Sequence, residues 1–375
     1  MKRYLHENII KDLKKKMVMI TGPRQVGKTY LAMEIMKEFK IAEYMNYDNI
    51  KDKEKIEKQS WRTDADLLVF DEIHKMKSWK NRIKGIYDTK HKDTAILVTG
   101  SARLDVFRQA GDSLAGRYFH YRLNPFSVKE AGAIMTPQKA LMLLNETGGF
   151  PEPFISGAAE ETARWQKQYY TDVIRDEISD LWTIHEMRAL KILLEMLRER
   201  VGSPLSFRSL AEDLQVSPNT VKKYIYILEA LYVLFLVRPY SKNIVKSISR
   251  EPKMYFYDSG YVKGDAGIKL ENTVAVSLLK HAQYLEDSSS KNIELNYLKN
   301  RQGVEVDFAL SENGEIKKMI EVKVSDDNPS KGIRYFHTRI PECEAIQIVQ
   351  NSAVKKDIGK IKVRPAAEWL SELQA

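Results

Sequence analysis

The stretch Gly22-Pro23-Arg24-Gln25-Val26-Gly27-Lys28-Thr29 limits what this chain can fold into more than any other. Met17-Val18-Met19-Ile20-Thr21 before it is an apolar run of strand length. Tyr30 to Met36 after it puts Leu31, Ile35 and Met36 on one side of a helix. Strand, glycine-bearing loop and helix are the three parts of a P-loop, G-x-x-x-x-G-K-[ST]. The glycines let backbone N–H groups wrap phosphates, and the helix N-terminus adds a favourable dipole. The expected nucleotide-binding set is Gly22, Pro23, Arg24, Gln25, Val26, Gly27, Lys28, Thr29 and Tyr30. Lys28 is expected to reach the β- and γ-phosphates of ATP, and Thr29 to hold Mg²⁺ through its hydroxyl. A chance match in a turn is the competing reading, and the flanks disfavour it.

A second constellation fits the first. Asp66-Leu67-Leu68-Val69-Phe70-Asp71-Glu72 is an apolar strand ending in two carboxylates. A buried parallel strand delivers its C-terminal residues to the sheet edge that carries the phosphate loop. Asp71 is then a metal ligand beside Thr29, and Glu72 a general base for the attacking water. Further strands are expected at 43–47 and 94–99, the latter running into Gly100-Ser101. Thr99 and Ser101 are candidates to sense the γ-phosphate, with Ser101 preferred. Arg117, in Leu114-Ala115-Gly116-Arg117, is a candidate for stabilising transition-state charge, from its own chain or a neighbouring one. A solvated arginine away from the phosphates is the equal alternative.

These motifs, with Gly148-Gly149-Phe150-Pro151-Glu152-Pro153 and Tyr255-Phe256-Tyr257-Asp258-Ser259-Gly260, resemble a group of prokaryotic AAA-superfamily ATPases. Members are usually labelled only "ATP-binding protein". The resemblance covers nearly the whole chain. It implies an AAA-like core, a winged-helix domain and a C-terminal domain similar to PD-(D/E)XK nucleases, and no settled biological role.

The residues after the core read as follows. Glu160 to Asp180 is a long helix candidate with Trp165, Tyr169, Val173 and Ile174 on its apolar face, part of a helical connector expected to cover the nucleotide. Phe207 to Leu214 is a short helix, and Gln215-Val216 turns the chain. Ser217 is an N-cap and Pro218 a first helical residue. Val221, Ile225 and Leu228 face inward, which leaves Asn219, Thr220, Lys222, Lys223 and Tyr226 for a DNA groove and its phosphates. Residues 231–237 and 254–257 read as the two strands of a wing, joined by a loop carrying Arg238, Lys242, Lys246, Arg250 and Lys253. Winged helices also serve as protein-binding modules, so the fold does not by itself choose DNA.

Near the C-terminus, Glu271 opens an apolar helix, and strands are expected at 297–299, 303–310 and 320–324. Alternation puts Glu321 and Lys323 on one face, with Asp307 across a strand pair. Asp307, Glu321-Val322-Lys323 and the helix acid Glu271 fill the positions of the PD-(D/E)XK pattern, although Val306 replaces its proline. Two carboxylates can hold a divalent ion while a lysine assists the water. A hairpin with solvent-facing charges is the competing reading, and catalysis stays undecided.

The fold class expected is α/β. It comprises a P-loop, AAA-like core with a parallel sheet (1–128), a helical connector (129–189), a winged helix-turn-helix (190–262) and an α/β nuclease-like domain (263–375). Sixty basic against 51 acidic residues, a formal charge of +9, lean toward a polyanionic partner. The lone cysteine, Cys343, excludes an intrachain disulfide and suits a reducing cytoplasm. No stretch is long and apolar enough to span a bilayer, so no membrane partner is expected. The function expected is Mg²⁺-dependent ATP hydrolysis coupled to DNA binding and processing, with self-association through the core. The alternative is a nucleotide-gated DNA- or protein-binding regulator with a silent nuclease-like domain.

Overall fold

The computed structural model describes residues 2–100, 114–178, 184–241, 250–289 and 291–375. Two compact units emerge: Met1–Asn124 with Ala230–Tyr232, and Pro125–Glu229 with Val233–Ala375. The expected limit at 128 lies close to this division, whereas those at 189 and 262 fall inside the second unit.

The first unit runs α1 (His6–Leu13), β1 (Met17–Thr21), α2 (Lys28–Met36), β2 (Ala42–Asn46), α3 (Ile50–Lys58), β3 (Leu67–Asp71), α4 (Trp79–Thr89), β4 (Ala95–Thr99) and β5 (Tyr118–Arg122). Its described strands form one sheet in the order β2-β3-β4-β1-β5, and every pairing is parallel. Parallel sheets are covered on both faces, and β1, β3 and β4 are accordingly buried at every residue. Because β4 lies between β1 and β3, their C-terminal ends meet at one edge, where α2 begins. The edge strand β5 has only Tyr121 buried. Its sequence, Tyr-Phe-His-Tyr-Arg, has no aliphatic run, so sequence patterning does not find it.

Gly22 is fixed by close packing. Its φ is +147°, and a Cβ there would lie 2.2 Å from the Leu123 carbonyl oxygen. The loop is held from behind by the start of the chain. The buried Arg3 guanidinium donates to Val26 O at 2.6 Å and to Asn124 O at 2.5 Å. Tyr4 Oη donates to Arg122 O at 2.6 Å.

The second unit opens with α5 (Val128–Ala131), α6 (Pro137–Thr147), α7 (Pro151–Ser156), α8 (Ala159–Ile178), α9 (Ile184–Leu197), α10 (Phe207–Leu214) and α11 (Pro218–Ala230). The strands β6 (Leu234–Pro239) and β7 (Lys253–Phe256) follow, then α12 (Ala266–Ser288). Next come β8 (Ile293–Lys299), β9 (Glu305–Glu312), β10 (Glu315–Lys323), α13 (Lys331–His337), β11 (Glu344–Val349), β12 (Lys356–Ile358), β13 (Ile361–Pro365) and α14 (Ala366–Ser371). The strands make one sheet, β12-β13-β11-β10-β9-β8-β6-β7. The hairpin read as a wing is therefore not free-standing. β6 pairs with β7 antiparallel and with β8 in parallel, at Arg238↔Asn296 and Pro239↔Tyr297. Lys242 and Lys246 of the expected wing loop lie outside the described residues.

The two motifs outside the core meet in this unit. Gly148 has φ +76°, and a Cβ on it would fall 1.9 Å from Asp258 Oδ1. The Asp258 carboxylate is fully buried and accepts from Gly260 N at 3.1 Å and from Gln166 Nε2 at 3.0 Å. The Gly-Gly-Phe-Pro and Tyr-Asp-Ser-Gly segments thus form a packing joint.

Candidate functional site

At the C-terminal edge of the five-stranded sheet, Asp71 is the hub. The Thr29 hydroxyl donates to its Oδ2 at 2.8 Å, and the Tyr44 hydroxyl donates to the same oxygen at 2.7 Å. Thr99 Oγ1 donates to Oδ1, and so does Glu72 N at 3.0 Å. Four donors from four elements or their ends fix a carboxylate that is 1% exposed. Burial, then the bond to Asp71, pushes the Tyr44 phenol well above its usual range, so it remains a donor. Lys28 is buried and donates to the loop carbonyls Gly22 O at 3.0 Å and Pro23 O at 2.6 Å.

Glu72 leaves β3 with φ +54° and ψ +24°, a left-handed conformation that costs a non-glycine residue about 1–2 kcal/mol. Such outliers cluster at functional sites. Its Oε2 lies 3.6 Å from His74 Nε2 and 3.7 Å from Lys75 Nζ. Burial raises its carboxyl pKa, opposed chiefly by the charge of Lys28. A raised carboxyl pKa makes the group a stronger base toward a water proton.

Thr29, Lys28, Asp71, Glu72 and Thr99 are thus brought together, with Gly22 to Gly27 forming the turn between β1 and α2. Tyr30 is half exposed on α2. Ser101 lies outside the described residues. Arg117 requires a correction. Its backbone carbonyl accepts from Met17 N, and Met17 pairs with Tyr118. That places Arg117 at the N-terminal edge, a strand length of about 16 Å from its own phosphate loop. Its guanidinium is engaged by Asp88, Nε to Oδ1 at 2.8 Å and NH2 to Oδ2 at 3.2 Å. It does not serve the site of its own chain in this arrangement.

In the second unit α10 and α11 follow one another at the positions read from the sequence as two helices. Gln215 turns in the left-handed region, and Ser217 Oγ accepts from Thr220 N at 3.1 Å. Val221, Ile225 and Leu228 are fully buried. Asn219, Lys222, Lys223 and Tyr226 are exposed, and Thr220 is partly so. Lys222 Nζ lies 5.8 Å from the Tyr226 ring centroid, and Lys223 Nζ 4.0 Å from Glu186 Oε1.

The C-terminal acids also converge. Ile320 pairs with Phe308 across β10 and β9, and Val322 N donates to Asp307 Oδ2 at 2.9 Å. Lys323 Nζ sits 2.8 Å from Glu321 Oε1. Tyr255 Oη donates to Glu271 Oε1 at 2.7 Å. Burial, then the Asp307 charge, pushes both Glu271 and Glu321 up to about 7. Burial also raises Asp307. A residue unassigned to this site stands among them. Lys253, placed by the sequence reading in the loop joining the two wing strands, instead opens β7 and is 2% exposed. Its Nζ lies 2.6 Å from Glu305 Oε1, 3.3 Å from Glu271 Oε1 and 4.0 Å from Asp307 Oδ1. No cluster of three or more His, Cys, Asp or Glu side chains among the described residues is arranged to hold a metal ion.

Comparison with known proteins gives three adjoining matches. Residues 14–132 match the model of an AAA domain, residues 138–270 a domain of unknown function (DUF8612) and residues 266–369 another (DUF4143). An uncharacterised protein of Mycobacterium tuberculosis is 26% identical over 253 residues, 67% of this chain and 56% of that protein. The chain thus spans little more than half the length of that relative. An uncharacterised protein of Methanocaldococcus jannaschii is 25% identical over 371 residues, covering 89% of this chain and 80% of its own. Among solved structures, a single-residue variant of Thermotoga maritima RuvB aligns at 18% identity over 61% of this chain and 86% of its own, with a TM-score of 0.31. Bacteroides Pif1 bound to ssDNA aligns at 11% over 40% and 47%, with a TM-score of 0.22.

The matched AAA domain and the geometry around Asp71 support nucleotide binding and hydrolysis. No described helix is long and apolar enough to cross a membrane. Three contributors escaped sequence reasoning. Tyr44 and Arg3 act from neighbouring segments that no motif names. Lys253 did leave a signal, a lysine abutting the apolar run Met254-Tyr255-Phe256.

Proposed function

We propose that this chain is a Mg²⁺-dependent ATPase whose turnover is coupled to DNA binding. The observation that carries the reading is the Thr29–Asp71 contact at 2.8 Å, which sets a hydroxyl and a carboxylate side by side at the mouth of the phosphate loop. That pair fits Mg²⁺, a hard cation bound through oxygen, and the ion would neutralise charge on the β- and γ-phosphates. Lys28 would exchange its loop carbonyls for phosphate oxygens. Glu72 would orient and deprotonate the attacking water. Thr99 would hold Asp71 in register with the loop. Arg117, remote from its own site and paired with Asp88, would have to leave that pair to serve a neighbouring copy.

DNA is the partner best supported by the exposed face of α11, where lysines flank an aromatic ring. DNA cutting is left out of this reading, because Lys253 stands among the acids that such a centre would give to a metal. The test is ATP turnover with Mg²⁺, with and without duplex and single-stranded DNA. Lys28→Ala should abolish turnover and weaken ATP binding. Glu72→Gln should keep ATP binding and lose hydrolysis by at least about a hundredfold. Normal turnover in either purified protein would overturn the assignment. Turnover indifferent to all DNA would instead favour a nucleotide-gated binder of protein.

A further inference from the structure

We propose that the Lys253 ammonium is the resident cation of the C-terminal acid cluster, and that the cluster is an internal ionic joint rather than a metal site. The inference does not depend on the ATPase reading.

Lys253 enters from β7, while its partners come from other elements. Glu271 lies on α12, and Glu305 and Asp307 lie on β9. One oxygen of each of three carboxylates is already engaged. Glu271 Oε1 takes the Tyr255 hydroxyl as well as Lys253. Asp307 Oδ2 takes the Val322 N–H, and Glu305 Oε2 lies 2.9 Å from Lys299 Nζ. A divalent ion set among these carboxylates would face the ammonium at contact distance. Mg²⁺ also demands near-octahedral oxygen ligation at about 2.0–2.1 Å.

The lysine is not poised to swing away. Its backbone pairs with Val237 across the hairpin and bridges to Pro204 on the other side. Its Nζ lies 5.5 Å from the centroid of the Tyr297 ring. Gly202 closes the cluster from outside, since a Cβ there would come within 2.9 Å of Glu271 Oε1. Glu321 Oε2 is buried without a hydrogen-bond partner. Lys323 Nζ lies beside it, 2.8 Å from Oε1 of the same carboxylate. The joint ties the hairpin that follows α11 to the helix and strands of the C-terminal half. A buried pair of this kind is strongly destabilising to break from one side only.

The test uses the full chain carrying Asp71→Asn, so that the phosphate-loop ligand is absent, with Mn²⁺ alone followed by electron paramagnetic resonance. The expected result is no Mn²⁺ held more tightly than about 1 mM while Lys253 is present. Mn²⁺ bound more tightly than that, and lost on adding Asp307→Asn, would overturn the proposal. Thermal unfolding gives an independent reading. Lys253→Met should lower the midpoint by about 6 °C or more. Adding Glu305→Gln and Asp307→Asn should restore at least half of the loss, because the stranded carboxylates are then neutral. No loss, or no recovery, would also overturn it.

Discussion

Tyr44 reports most directly on the hub at Asp71. Its hydroxyl shares Oδ2 with Thr29, and Asn46 Nδ2 donates to the Tyr44 oxygen at 3.3 Å. Tyr44→Phe keeps the ring and removes one donor from a buried carboxylate. Loss of such a bond is worth about 1–3 kcal/mol. We expect ATP turnover to fall about tenfold with ATP binding little changed, as read by steady-state hydrolysis beside nucleotide titration. A second single-residue prediction concerns Asp258, whose burial pushes its carboxyl from 3.8 up to about 7. Between those values the folded chain keeps a proton that the unfolded chain releases. Stability contributed by Asp258 is therefore lost as pH rises through that window. Asp258→Asn should flatten this part of the stability-versus-pH curve, measured by denaturant unfolding between pH 4 and 7.5. An unchanged slope would mean that Asp258 is charged throughout.

At the scale of elements, α11 carries the DNA prediction. Lys222 is free to reach a phosphate, whereas Lys223 is half committed to Glu186. Changing both to Ala should weaken duplex binding across sequences and reduce the salt slope by about 1 to 2. Equal loss for every sequence is the signature of phosphate contact; loss confined to one sequence would indicate base reading instead. Elements also show where sequence is legible. The strands β1, β3 and β4 are buried on both faces, so apolar residues fill them up to a polar last residue, and their ends carry the phosphate chemistry. That made the loop, Asp71 and Glu72 readable. The limits of α10 and α11 were readable because caps and turn residues act locally. The edge strand β5 was not, because a half-exposed strand of aromatic and polar residues carries no aliphatic signal. Arg117 and Lys253 were misplaced for a related reason. Which edge of a sheet a residue occupies, and whether a lysine points inward, depend on strand order and partners distant in sequence.

Across the whole molecule, the phosphate site and the Lys253 joint sit in separate compact units. ATP with Mg²⁺ stabilises only what binds it, by linkage. We expect calorimetry to resolve two transitions, with nucleotide raising the midpoint of one and Lys253→Met lowering that of the other. A single transition moved by both changes would show that the two units unfold as one.

The grip of Arg3 on Val26 O and Asn124 O has a practical side. Anyone isolating the phosphate loop would naturally cut just before the strand at Met17, since every recognisable motif lies beyond that point. The resulting fragment would carry the full signature and lack the hand that holds it. Its empty carbonyls would have to be satisfied by water, and the loop would relax accordingly. A feeble result from such a fragment would then be a statement about the cut, and a graft of the same signature onto another scaffold would need its own equivalent of that arginine.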